Sequence, residues 1–395
     1  MQRGFIRRLI VLFVAVAMAC AAPVTAQPAP YTINVILPLT GPAANLGLDE
    51  QNGLTAFEKL VNNTGGIRGT PLHFQIVDDQ SQPAVAVQLF QQILNTHPAV
   101  VLGSAIAAQT QAMAALVKEQ VVLYALTPNI NPTPFSYVFA TSAPTSDLSG
   151  VGVTYYRLRG ITKIGVFVTT DASGQNNLES LQTALKKPAN KNVKIVDVET
   201  FGIGDVSTDA QATKLKASGA QMVYALPNGT AFGTALHGLS DAGLLDLPIY
   251  TSAANFSPSL LNSFKAFLPK ELTCSGAGFF LKDRPASDPQ KKPIDDFYAA
   301  LNGAGITQPV VTHAFAWDPA LIVVTVLRSL GTSATAGQIH DAIEKMKNFP
   351  GVGGIYDFSS GNQHGAGENG LLVLKNDPAN PGKTTIVSKQ GGAPL

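Results

Sequence analysis

An α/β fold built on parallel sheets is predicted by three features of the chain. Short apolar strand runs alternate with helical patterns, as at 32–37 followed by the amphipathic stretch 47–63. A second series of the same rhythm begins after Asp147. No long Pro/Gly/Ser linker separates the two, so they are packed units rather than beads on a flexible string.

In chain order, the first strand is expected at 32–37. On the helix that follows, Leu54, Phe57, Leu60 and Val61 fall on one face, and Gly65-Gly66 ends it. The next strand is expected at 73–77, with Asp78 and Asp79 as solvated carboxylates at its end. Ser81 is placed to cap the following helix, with Pro83 in its first turn and Val87, Phe90 and Leu94 as its buried stripe. Residues 99–102 read as an apolar strand, 110–118 as a helix and 121–124 as another strand.

In the second series, strands are expected at 164–168, 193–198, 222–226 and 248–250, with helices at 177–187, 210–217 and 230–242. A third portion, 275–346, carries a short strand and helices around 295–301, 319–330 and 338–347. Thr335 and Gln338 have capping-box spacing before the last helix. Short strands at 355–358, 371–374 and 384–387 complete the pattern.

The first residues read as an export signal. Arg3, Arg7 and Arg8 form a positive start, 9–19 is an apolar run, and Val24-Thr25-Ala26 precedes a cut at Gln27. The run is shorter than the ~20 residues that span a bilayer. No second long apolar stretch is expected, so 1–26 is read as a signal peptide on an exported soluble protein. Ala17-Met18-Ala19-Cys20 is only a loose lipobox, because Ala17 stands where leucine is usual; cleavage after Ala26 is preferred to anchoring at Cys20. That cut leaves Cys274 alone, without an internal disulfide, and it reads as a packing residue.

Charged residues make up 13% of the chain and the formal net charge is +1, which leaves no electrostatic footprint for nucleic acid. His73, His97, His237, His313, His340 and His364 show no metal-ligand spacing. There is no G-x-S-x-G elbow and no Walker loop. The G-x-G-x-x-G match at 365–370 follows a polar turn and precedes a strand, so it reads as a surface loop rather than a dinucleotide site. These absences argue against an enzyme and against a cofactor.

Ligands of open parallel sheets collect outside the carboxyl ends of strands, where helix N-termini present free N–H groups. Two loops fit: 103–110, whose small side chains allow close backbone approach, and 126–132, which helix cannot cross because of Pro128 and Pro132.

The opening Ile33-Asn34-Val35-Ile36-Leu37-Pro38-Leu39-Thr40-Gly41-Pro42, with Gly65-Gly66-Ile67-Arg68-Gly69 after the helix, resembles the start of the periplasmic leucine/isoleucine/valine-binding protein family, the soluble receptors of bacterial ABC importers. The resemblance spans nearly all of the chain beyond the signal. It implies the type I periplasmic binding fold: two Rossmann-like α/β lobes with parallel sheets, joined by three crossovers near Pro144, Cys274 and Gly351. Lobe 1 would comprise 27–145 and 274–350, and lobe 2 would comprise 146–273 and 351–395. The implied function is that of a monomeric periplasmic receptor that delivers a small solute to an inner-membrane ABC permease. A branched-chain amino-acid-binding protein and a sensor-type receptor are the alternatives, with an exported enzyme behind them.

The resemblance also implies a site. In the family, backbone amides with a serine and a threonine hydroxyl hold the ligand carboxylate; Ala107 falls at the serine position and Asn131 at the threonine position. Ala108, Gln109 and Asn129 belong to the same two loops, and Asn45 and Leu46 to the start of the first helix. In lobe 2, Ala253 stands near the position of the acidic residue that pairs with a ligand ammonium; Asn255 and Phe256 follow, and 251–256 contains no Asp or Glu. Ser173 lies in a turn where the family commonly carries a tyrosine, and Asn228 in a segment that replaces an aromatic-bearing one. A buried ammonium without an anion costs several kcal/mol, so the expected ligand is an aromatic or aliphatic carboxylate lacking an α-ammonium. Tyr124, Phe256 and Phe315 are expected to wall its pocket, and His313 to meet a phenol or carboxylate.

Overall fold

The computed structural model describes residues 29–395. The expected signal peptide 1–26, its cut before Gln27 and the lipobox Cys20 lie outside them.

The chain first builds a wholly parallel five-stranded sheet. In spatial order it runs β2 (Leu72–Asp78), β1 (Tyr31–Leu37), β3 (Val100–Gly103), β4 (Val122–Ala125) and β5 (Val138–Ala140). Ile33, Val35, Ile36 and Leu37 are fully buried, because a parallel strand is covered on both faces. α1 (Ala44–Asn63), α2 (Pro83–Leu94) and α3 (Ala107–Ala114) connect the strands.

α4 (Thr145–Leu158) carries the chain into a seven-stranded sheet. Its parallel part is β6 (Lys163–Thr169), β7 (Lys194–Phe201), β8 (Met222–Ala225), β9 (Ile249–Tyr250) and β10 (Leu272–Gly276). α5 (Ala172–Leu185), α6 (Asp209–Ala217), α7 (Thr230–Asp241) and α8 (Pro258–Ser263) fall between these strands.

The chain then returns to the first sheet with α9 (Lys291–Gly303), α10 (Val311–Leu330) and α11 (Ala336–Glu344). α9 and α10 pack on α1. The Trp317 ring lies 4.9 Å from Phe57 and 5.1 Å from Phe297, both edge-on. Gly53 permits the close crossing, since a Cβ there would sit 2.9 Å from the His313 carbonyl oxygen. α10 is long and apolar enough to cross a membrane by composition, a stretch the sequence reading passed over. It is mostly buried in the first lobe instead. The Thr335 capping box forms, with Gln338 N donating to Thr335 Oγ1 at 3.3 Å and Thr335 N donating to Gln338 Oε1 at 2.9 Å.

After α11, the hairpin β11 (Phe349–Pro350) and β12 (Ile355–Tyr356) is tied down by buried Asp318. Its carboxylate accepts from Val352 N at 2.8 Å, Gly353 N at 2.7 Å and the Tyr356 hydroxyl at 2.7 Å. β13 (Leu372–Asn376) and β14 (Thr384–Ile386) then add antiparallel strands beside β10. The architecture is a two-lobe α/β fold.

Several expectations are corrected. β10 runs to Gly276 inside the second sheet, beyond the lobe limit expected at 273. After Gly351 the chain stays against the first lobe: Gln363 O accepts from Ala140 N at 2.9 Å, and return to the second sheet waits for β13. In the glycine run 365–370, Gly367 and Asn369 are exposed as a surface loop requires, while Gly365 and Ala366 are buried. Ser81 does not cap α2; its hydroxyl donates to Thr40 O at 2.7 Å and accepts from Ala43 N at 3.2 Å, fastening the β1–α1 turn. Asp79 is fully buried, accepting from Ser104 Oγ at 2.7 Å, and burial lifts its pKa to about 6. Cys274 is buried and free, as its packing role requires.

Candidate ligand-binding cleft

Loops that follow β3, β4, β8 and β9 converge on one space between the lobes, with the starts of α1, α4 and α10 completing its wall. This is where open parallel sheets expose helix N-termini. The main chamber holds about 600 Å³ unfilled by atoms, part of it continuous with solvent. Direct bonds close the lobes over it. Asn129 Nδ2 donates to Ser173 O at 3.0 Å, Asn176 Nδ2 to Asn129 O at 3.2 Å, and Thr230 N to Pro42 O at 3.2 Å.

The lining contains no Lys, Arg or His. α4 starts at it after Pro144 without a side-chain cap, and α3 starts beside it, past the lining residue Ala105, with Ile106 as its uncapped N-cap. Their first N–H groups have no partner within the helix, and the positive dipole end favours an anion there. Hydroxyls of Thr127, Thr145, Ser149, Ser252, Ser275 and Thr312 surround the space, with Leu148, Leu226, Tyr250 and Phe315 as its apolar part.

The lining also contains a carboxylate. Glu50, on α1, is 1% exposed, and its Oε2 has no hydrogen-bond partner. Burial raises its pKa well above the ordinary range, and the neighbouring charges of Asp49 and Asp79 raise it further. Asp49 is raised to about 6 by burial, against hydrogen bonds from Thr312 and Ser257. The cleft therefore does hold an acidic side chain, one whose burial favours its neutral form. Loop 251–256 is indeed free of acid, but the acid enters from the opposite lobe. A signal for it exists in the sequence: Leu46, Glu50 and Leu54 are four residues apart, so Glu50 interrupts the buried stripe of α1.

Of the expected site residues, Leu46, Asn129, Asn228 and Ala253 line the main chamber. Ala108, Gln109 and Ser173 line a second chamber of about 740 Å³, which shares Asn177, Leu226 and Asn228 with the first. Asn45 stands at the rim, its Nδ2 3.5 Å from Ala254 O. Asn45 lines neither chamber, and five further expected residues do not either. Asn131 is exposed and faces a separate groove on the first lobe. Ala107 and Phe256 are packed into the cores. Asn255 is spent holding its own loop, donating to Pro227 O and Thr251 Oγ1 at 2.8 Å and accepting from Gly229 N at 3.1 Å. His313 is buried and its Nδ1 accepts from Val310 N at 3.0 Å at the start of α10; burial lowers its pKa to about 4. Of the three expected aromatic walls only Phe315 reaches the chamber, Tyr124 being fully buried in the core.

Comparison with known proteins gives this geometry a context. A family model described as periplasmic binding protein matches residues 30–377. A Leu/Ile/Val-binding protein homolog from Brucella melitensis is 27% identical over 237 residues, 58% of this chain and 63% of that protein. A leucine-, isoleucine-, valine-, threonine- and alanine-binding protein from Pseudomonas aeruginosa is 27% identical over 249 residues, 62% of this chain and 66% of that one. The matches thus span just under two thirds of these relatives. Among solved structures, an extracellular ligand-binding receptor from Rhodopseudomonas palustris superposes with TM-score 0.78 at 19% identity, covering 92% of this chain and 100% of that one. An ABC-transporter solute-binding protein from R. palustris in complex with benzoate gives TM-score 0.75 at 16% identity, covering 92% and 97%.

Proposed function

The chain belongs to the periplasmic binding protein family, and on that premise we propose that it captures a small carboxylate-bearing solute between its lobes and presents it to an inner-membrane ABC permease. The family is one of periplasmic binding proteins rather than enzymes. Closure over the solute creates the surface that the permease reads, and the protein acts as a monomer. The ligands named for the relatives above, leucine, isoleucine, valine, threonine, alanine and benzoate, have a carboxylate in common. The uncapped start of α4 suits that group.

One observation carries the finer reading: the unpaired, buried carboxyl of Glu50 in a chamber without a cation. An ammonium is its natural partner, so an amino acid fits better than an amine-free acid. Acid-free loop 251–256 supports the second reading, an aromatic or aliphatic acid, in which Glu50 stays protonated and donates to the ligand. Calorimetry and thermal shift with leucine, 4-methylvalerate, phenylalanine, 3-phenylpropionate and benzoate separate them. Amine-bearing members should bind more tightly than their amine-free counterparts. Equal or tighter binding by the amine-free acids transfers the role to the second reading, and no binding by any small acid or amino acid defeats the transport function.

A further inference from the structure

The second chamber has polar groups that the closed protein leaves unused. Gln109 is 1% exposed and Ser173 is 8% exposed; both line the chamber, and neither Gln109 Oε1 nor Ser173 Oγ has a partner. On the wall shared with the main chamber, Asn228 Oδ1 is also unpaired. Two of these three atoms are acceptors only, and the third can accept. The one ionisable residue lining the chamber, Asp171, already receives Thr169 Oγ1 at 2.6 Å and Gly174 N at 3.1 Å. Ile106, Ile203 and Leu226 give the chamber its apolar part. Buried acceptors without donors are costly, and a ligand that brings donors recovers that cost.

We infer that the solute continues from the main chamber into the second and ends there in a neutral hydrogen-bond donor, a carboxamide or ureido group received by Gln109 Oε1 and Ser173 Oγ. The inference rests on reading the cleft as an amino-acid site, with the ligand head beside Glu50, its methylene stem along Leu226 and its polar end in the second chamber. The protein selects against purely apolar tails, since these would seal three acceptors away from both water and donors.

Titration calorimetry of the mature protein with norleucine, glutamine and citrulline tests it. Glutamine or citrulline should bind at least tenfold more tightly than norleucine. Gln109→Leu, which keeps volume and removes the acceptor, should bring that ratio towards one. Ser173→Tyr should fill the chamber and abolish citrulline binding; a circular dichroism spectrum and melting curve matching the parent establish that it folds. Norleucine binding as tightly as the other two overturns the inference and leaves the amino-acid site standing, with water satisfying the acceptors. A preference that survives both variants also overturns it. Binding of 4-methylvalerate or benzoate without binding of any of the three amino acids removes the amino-acid reading and the inference with it.

Discussion

Asn129 and Ser173 join the two lobes across the cleft: the Asn129 side-chain amide donates to the Ser173 carbonyl at 3.0 Å. The bond is reciprocated by Asn176, whose Nδ2 donates to Asn129 O at 3.2 Å. These bonds exist only while the lobes are shut, so their strength is part of the free energy by which a ligand favours closure.

Asn129→Ala removes the side-chain latch from a chamber wall. A net hydrogen bond is worth about 0.5–1.5 kcal/mol, so the Kd of a closing ligand should rise roughly 2- to 12-fold. Calorimetry reads this directly, and an unchanged Kd would show that the latch contributes nothing to closure.

Gly229 is required where lobe 2 meets lobe 1. Its φ is +62°, and a Cβ there would lie 2.2 Å from the Pro42 carbonyl oxygen of the other lobe. Gly229→Ala should therefore hold the lobes apart. Small-angle scattering should show no contraction at saturating ligand, with Kd weakened at least tenfold by the obstructed contact. A normal contraction with normal affinity rules this role out.

Glu50 couples ligand charge to protons. Its buried carboxyl has a pKa raised well above the ordinary range by burial and by the neighbouring charges of Asp49 and Asp79. An ammonium beside it favours the ionised form, so binding an amino acid should release up to about one proton and tighten as pH rises. Calorimetry in buffers of different ionisation enthalpy measures that release. Glu50→Gln should abolish both the release and the pH trend; release that persists in this variant assigns the proton to another group.

Asp79 and His313 pull stability in opposite directions with pH. Asp79 is raised to about 6, so between pH 4 and 6 the folded protein holds a proton that the unfolded chain has lost, and its contribution falls as pH rises. His313 is lowered to about 4, so between pH 4 and 6.5 the unfolded chain holds the extra proton, and its contribution is lost as pH falls. Asp79→Asn should remove a decline of about 1–3 kcal/mol between pH 4 and 7. Chemical denaturation at the two pH values checks it, and a slope identical to the parent contradicts the assignment.

His313→Leu tests whether this histidine serves the helix rather than the ligand. It leaves Val310 N–H without its acceptor at the start of α10, which should cost about 1–2 kcal/mol of stability. Ligand affinity should stay within about threefold, well under the tenfold change that 1.4 kcal/mol represents. A selective loss of affinity with unchanged melting would return His313 to the site.

Much of the architecture was legible because parallel strands covered on both faces must be apolar along their whole length. β3, β4 and β8 are such runs, buried at every residue. β5 escaped because three residues, Val138–Ala140, carry no periodicity. The site was legible only as a set of loops. Asn129, Asn228 and Ala253 were reached because ligand loops follow parallel strands. Asn131, two residues from Asn129, points out to a different groove, and loop position alone does not say which way a side chain turns.

Alternating apolar strands and helices, restarted after Asp147, were enough to establish a doubled α/β chain, since burial on both sheet faces leaves its mark on local composition. Which groups meet between the lobes was decided only by tertiary structure. Asn129 and Ser173 are 44 residues apart, and Asn45 and Ala254 are 209 apart. The same holds for the charge of the cleft, because Glu50 faces an acid-free loop from the other lobe and burial, a property of the closed pair, sets its protonation.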